Sequence, residues 1–115
     1  MSRRITITPA KTTFEVRYNG AVIASSDRVQ MLVEAGHDPV PYFPLDSVDH
    51  SRLAATDHRT SCPYKGEASY WSVTVDGKSS ENAVWSYADP LEEVMEIAGH
   101  MAFYANRMEK IGPVE

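Results

Sequence analysis

Alternation of apolar and polar positions runs through most of this chain and predicts strands far more often than helices. Phe14-Glu15-Val16-Arg17-Tyr18 repeats at period two, and Asn19-Gly20 follows directly. Asn-Gly is the strongest two-residue hairpin signal, because a type I′ turn needs positive φ at both central positions. That turn sets Tyr18 opposite Ala21 and Val16 opposite Ile23, with the apolar residues on one face. Ile5-Thr6-Ile7 begins a strand before the hairpin, and residues 29–34 form a further strand, although the same residues tolerate a helical turn; Gly36 ends it. Prolines at 39, 41 and 44 confine the next segment to an edge strand or an extended stretch, since each lacks a ladder donor. Residues 45–60 are polar and without period, which reads as a long connection with one helical turn at most.

Residues 69–75 alternate again, with Trp71, Val73 and Val75 on one face and Tyr70, Ser72 and Thr74 on the other. Asp76-Gly77 turns the chain, and residues 83–87 return as a second strand whose register depends on loop length. A three-residue loop would set Ala83 opposite Trp71, Trp85 near Ser69 and Tyr87 near Glu67. Asp89-Pro90-Leu91-Glu92-Glu93 has the form of a helix start: a capping Asp, Pro at the first position, then acids at the positive end of the dipole. Leu91, Val94, Met95 and Ala98 make its apolar stripe, Gly99 stops it, and residues 101–104 read as a closing strand. The expected fold is mainly β: a small antiparallel β-tent or barrel-like domain with one short C-terminal helix, closed so that no edge is left unpaired.

Composition narrows the function. A chain of 115 residues with 43% hydrophobic residues suits a single domain spanning 1–115. Net charge is −5 and the eleven Lys and Arg are scattered, which excludes a general nucleic-acid binder. No run approaches the roughly 20 apolar residues that cross a bilayer. MSRRITITP leads into alternation instead of a continuous apolar run, so neither a membrane anchor nor a signal peptide is expected. The lone Cys62 excludes an internal disulfide and a multi-thiolate zinc site, and it fits a reducing, cytoplasmic compartment.

Chemistry concentrates in RTSCPYKGEASYW, residues 59–71. If its strand begins at Glu67, period two puts Glu67, Ser69 and Trp71 on one face, and a carboxylate there needs a cation such as Lys65 or Arg59, or an open, solvated end. Two indoles, a phenol and that carboxylate at one end of a sheet would make a pocket, the usual construction of a small-molecule site. An aromatic core with an ion pair at its rim is the alternative. Cys62 lies between Arg59 and Lys65, which favour a thiolate, and His58 offers a base. No HExxH or paired CxxC is present, so no metal site is expected. Asp46, Asp49 and Asp57 with His50 and His58 are the weaker alternative. GxGxxG and GxxxxGK[ST] are absent as well, so no cofactor is expected.

IASSDRVQMLVEAGHDPVPYFPLDSV, DHRTSCPYKGEASYWSV, ENAVWSYADPLEEV and IAGHMAFY together resemble the bacterial family known as domain of unknown function 427, over residues 14–104. T-x-C-P-Y-K-G-x-A-x-Y-W at 60–71 and W-x-Y-x-D-P at 85–90 carry the resemblance most specifically. It implies a β-tent architecture, as in methionine sulfoxide reductase B and the ligand-binding domain of cereblon. Those relatives typically hold zinc with four cysteines, which this chain cannot supply. A nucleotidyltransferase label is sometimes attached to the family, but the Gly-Ser turn and D-x-D pair that such enzymes use are missing here.

Three functions follow as expectations, and none names a reaction. The first is a small-molecule binding domain, with or without catalysis, whose planar or anionic ligand meets Tyr42, Arg59, Lys65, Glu67, Tyr70, Trp71 and Trp85. In a catalytic version, Cys62, Lys65 and Glu67 are the candidates. The second is a thiol enzyme or redox sensor using Cys62. The third is an interaction module, including a homodimer, that pairs through an exposed edge at residues 40–43.

Overall fold

The computed structural model describes residues 4–114, so the first three residues of MSRRITITP lie outside it. Ten strands run in chain order: β1 (Ile5–Pro9), β2 (Phe14–Tyr18), β3 (Ala21–Ser26), β4 (Gln30–Glu34), β5 (Val40–Pro44), β6 (Leu53–Cys62), β7 (Gly66–Val75), β8 (Lys78–Ser86), β9 (His100–Phe103) and β10 (Lys110–Pro113). All pairing is antiparallel, in a seven-stranded sheet of order β1-β4-β5-β9-β8-β7-β6 and a three-stranded sheet of order β10-β2-β3. The domain is therefore mainly β and antiparallel, as the alternation predicts. Closure is not reached: β1 and β6 remain edges of the large sheet. Shortness and Pro9 blunt β1, while β6 bulges outward at residues 56–58.

Both two-residue turns form, with φ of 47° and 81° at Asn19-Gly20 and 50° and 81° at Asp76-Gly77. Tyr18 faces Ala21 as expected, but a bulge shifts the rest of that hairpin and Val16 pairs with Ala24, not Ile23. The second hairpin has a two-residue loop, Val75 opposite Lys78, so β8 starts earlier than residue 83. A bulge in β8 opposite Ser72 then shifts the register, so Trp71 faces Val84 and Tyr70 faces Trp85, in place of the neighbours that a three-residue loop would give.

Three further expectations are corrected. The polar connection at 45–60 holds two short 3₁₀ turns, Leu45–Ser47 and His50–Arg52, and then the ten-residue β6. β6 is mostly exposed, and that explains the missing period: an edge strand wet on both sides has no apolar phase. β5 is not an edge, because β4 pairs with Val40–Tyr42 and β9 with Phe43 and Pro44. Each partner takes a different portion of β5, which is how a strand so rich in proline can lie inside a sheet. The C-terminal helix is instead a 3₁₀ segment, Glu92–Ile97, kinked at Val94. Asp89 does not cap it; Leu91 N–H is held by Lys65 C=O at 2.9 Å, and the segment buries Val94 and Ile97 three apart while Leu91 and Met95 stay exposed.

Two apolar cores result. One gathers Val16, Ile23, Phe43, Val73, Val84 and Phe103 between the two sheets, with Trp71 packed against it. The other gathers Leu32, Tyr42, Tyr70, Tyr87, Val94 and Ile97, with Trp85 and Cys62 against it. β7 serves both. Its alternation is unbroken, so Val73 and Val75 bury one face at one end while Ala68 and Tyr70 bury the opposite face at the other. Phe43 is fully buried and meets Phe103 edge-on at 5.9 Å. Phe43→Ala is expected to lower the unfolding free energy by about 3–5 kcal/mol, measured by urea denaturation.

Candidate functional site

The second core does not fill. Beside it lies a cavity of about 250 Å³ bounded by Tyr42 from β5, Tyr70 from β7, Trp85 from β8, Tyr87 just beyond β8, Tyr104 just beyond β9, and Lys65. Leu32, Glu34, His37, Asp38 and Val40 complete its wall. Alternation explains the convergence: Tyr70 and Trp85 are cross-strand partners, and Tyr87 follows Trp85 at period two. Trp85 Nε1 donates to Tyr42 Oη at 3.1 Å, and the two rings meet edge-on at 6.3 Å. The Trp85 and Tyr104 rings lie 4.5 Å apart, tilted by 43°. Tyr70 Oη is bonded to Thr60 Oγ1 at 2.8 Å and to Tyr104 Oη at 3.4 Å, with the His58 ring 4.5 Å from the Tyr70 ring.

Of the residues expected at the site, Tyr42, Lys65, Tyr70 and Trp85 line this cavity, and Arg59, Glu67 and Trp71 do not. Arg59 folds back on its own strand, donating to the carbonyls of Thr56 at 3.0 Å and His58 at 2.7 Å. Glu67 is exposed opposite Ser61: it does share a face with Trp71, but beyond the end of the first core. Trp71 belongs to that first core. Tyr70, expected on a polar face, is buried, because the other side of β7 carries the second core.

Lys65 pairs with Glu34, not with Glu67. Its Nζ stands 3.0 Å from Glu34 Oε1, with 13% and 11% of the two side chains exposed, and Arg4 Nε approaches Glu34 Oε2 at 3.3 Å. The adjacent Gly66 takes φ of +119°, and a Cβ there would meet the backbone of Asp89 and Pro90 at 3.5 Å. This turn, tied to Leu91 through the Lys65 carbonyl, joins the two motifs at 60–71 and 85–90 in space. Local pattern holds no sign of Glu34, since only the β1-β4-β5 pairing brings it here, or of Tyr104, which needs the register of β8 with β9; Tyr87 is the phenol that period two already places at this end of the sheet.

Cys62 is half-buried against the second core, and His58 lies on Tyr70 instead of pairing with it. A four-thiolate zinc site does not fit this chain, which has one cysteine. The acids and histidines of 46–58 disperse: Asp46 pairs with Arg28, Asp49 with Ser51 and Arg52, and His50 Nε2 lies 2.7 Å from the Leu45 carbonyl. Among the described residues no cluster of three or more His, Cys, Asp or Glu could hold a metal ion, and no helix is long and apolar enough to cross a membrane.

The chain matches the family described as domain of unknown function (DUF427) over residues 6–112, and it belongs to that family. No curated protein matches it.

Burial pushes the Tyr42 and Tyr87 phenols well above their ordinary range, and burial together with the Tyr70 hydrogen bond raises Tyr104 to about 12. These groups stay protonated at physiological pH. For Glu34, desolvation works toward a higher pKa, but the Lys65 hydrogen bond and the charges of Lys65, His37 and Arg4 outweigh it and hold the carboxyl below its ordinary 4.5. A depressed carboxylate adds stability above its unfolded pKa and loses it as pH falls through the folded one. Lys65→Met is expected to cost about 1–3 kcal/mol, less than a fully sealed pair would, and to flatten the loss of stability below pH 4.5 that wild type shows in urea denaturation.

Proposed function

We propose that this domain binds a small planar ligand in the cavity beside Trp85. The observation that carries the reading is the convergence of Tyr42, Tyr70, Trp85, Tyr87 and Tyr104, from four stretches of the chain, on one space of about 250 Å³ that also meets a Lys65–Glu34 pair. Flat aromatic walls with a few polar groups are how ligand sites are built. A planar molecule can stack or meet ring edges there, as Trp85 and Tyr104 already do with each other. Lys65 is engaged by Glu34, which favours a planar ligand over an anionic one. The reading is of binding, and no reacting group is assigned.

An edge-pairing module through residues 40–43 is less favoured, because β4 and β9 already occupy that strand. A thiol enzyme is less favoured too, because His58 packs on Tyr70 and not beside Cys62. The two tryptophans make the binding test specific, since Trp71 lies in the other core. In Trp71→Phe protein, where Trp85 is the sole indole, a panel of planar aromatic compounds is expected to yield members that quench or shift the emission saturably. Trp85→Phe protein should show no such change. If no planar compound perturbs Trp85, the reading falls.

A further inference from the structure

The cavity wall holds two phenols whose O–H groups meet no acceptor among the described residues. Tyr42 is 1% exposed and Tyr87 6%, so both are more than nine-tenths buried. Tyr42 Oη accepts from Trp85 Nε1, yet its own O–H has no acceptor among the described residues, and Tyr87 Oη has no hydrogen-bond partner among them at all. The Tyr87 hydroxyl is nevertheless not among the sealed, unpartnered side-chain atoms of the described residues. The little surface that Tyr87 keeps therefore includes its hydroxyl, and Tyr87 lines the cavity. A phenol O–H that opens on the cavity without a protein acceptor, beside a second that is almost wholly buried, has the form of a donor set held for a ligand. The two residues lie close enough for Tyr42 to influence the Tyr87 ionisation, and burial keeps both as O–H donors.

The charges on the wall select the kind of acceptor. Two carboxylates, Glu34 and Asp38, and one ammonium, Lys65, line the wall beside the His37 imidazole. Lys65 and Arg4 are both engaged by Glu34. An added anion would meet the Asp38 carboxylate and, among the described residues of the wall, no Lys or Arg that Glu34 does not already engage, whereas an uncharged oxygen accepts from phenols at no such cost. We infer that the planar ligand presents an uncharged carbonyl oxygen, as in an aromatic amide or ketone, to the hydroxyls of Tyr42 and Tyr87. This rests on the planar-ligand reading above and adds the functional group that the site selects.

A larger apolar groove of about 460 Å³ lies across Trp85 and Tyr104, bounded also by Phe14, Phe103 and Ile111, and neither Tyr42 nor Tyr87 takes part in it. Tyr87→Phe therefore separates the two spaces. Benzamide, benzoate and toluene, planar probes that differ in one group, are titrated against Trp71→Phe protein by Trp85 emission, with and without Tyr87→Phe. Benzamide is expected to bind more tightly than either of the others. Tyr87→Phe is expected to weaken benzamide about tenfold, the effect of one lost hydrogen bond in a buried site, and to leave toluene unchanged. Equal affinity for benzamide and toluene, or a tighter benzoate, overturns the carbonyl inference while leaving planar binding intact. Failure of all planar probes, including the wider panel, overturns the binding reading itself. Should Tyr87→Phe not fold, as judged by its unfolding transition, the comparison of the three probes on the parent protein still decides.

Discussion

β7 is wetted by neither core alone; it is shared by both, on opposite faces at opposite ends. Everything else in the structure follows from that sharing. Val73 and Val75 hold the large sheet against the β10-β2-β3 sheet, while Ala68 and Tyr70 turn the other face toward Tyr42, Tyr87 and the 3₁₀ segment at Glu92–Ile97. A strand that buries both faces along its whole length would need a layer on each side, and 115 residues do not supply two full layers. Staggering the layers diagonally lets one sheet serve two half-sized cores.

Bulges on both neighbours of β7 accommodate this arrangement. β6 carries extra residues at Thr56–His58 opposite Tyr70, and β8 carries extra residues at Glu81–Ala83 opposite Ser72. The bulges are tied to one another across β7, since Thr56 Oγ1 donates to Asn82 Oδ1 at 2.7 Å and Asn82 N–H donates to Ser72 Oγ at 3.1 Å. Extra residues of this kind increase local twist, which is what a sheet needs to present opposite faces to two layers. The second core remains incompletely filled, and its unfilled part is the cavity that Tyr42, Tyr70, Trp85, Tyr87 and Tyr104 surround.

Period two and the turn dipeptides made most strands and both tight hairpins readable, because each is a local consequence of φ, ψ and side-chain phase. What escaped depended on contacts distant in the chain. β6 had no phase to detect, since both of its faces meet water. The candidate site was half legible: Tyr42, Lys65, Tyr70 and Trp85 could be named, the last three from the two motifs, whereas Arg59, Glu67 and Trp71 belonged to the first motif but to other surroundings. Glu34 could not be named at all, because a glutamate at the end of a strand carries no local mark of the lysine that a distant turn will bring. Asp89-Pro90 had every local feature of a helix start, yet the Lys65 carbonyl claims the Leu91 N–H and the chain tightens into 3₁₀ geometry. Tertiary hydrogen bonding outweighed propensity there.

The two indoles sit on adjacent cross-strand pairs, Trp71 with Val84 and Trp85 with Tyr70, and so look out from opposite sides of one hairpin. Each half of the molecule thus contains its own intrinsic probe, separated from the other by a single layer of backbone. Cooperativity in this fold is then a question about that layer, since β7 is the strand through which the two half-cores are joined.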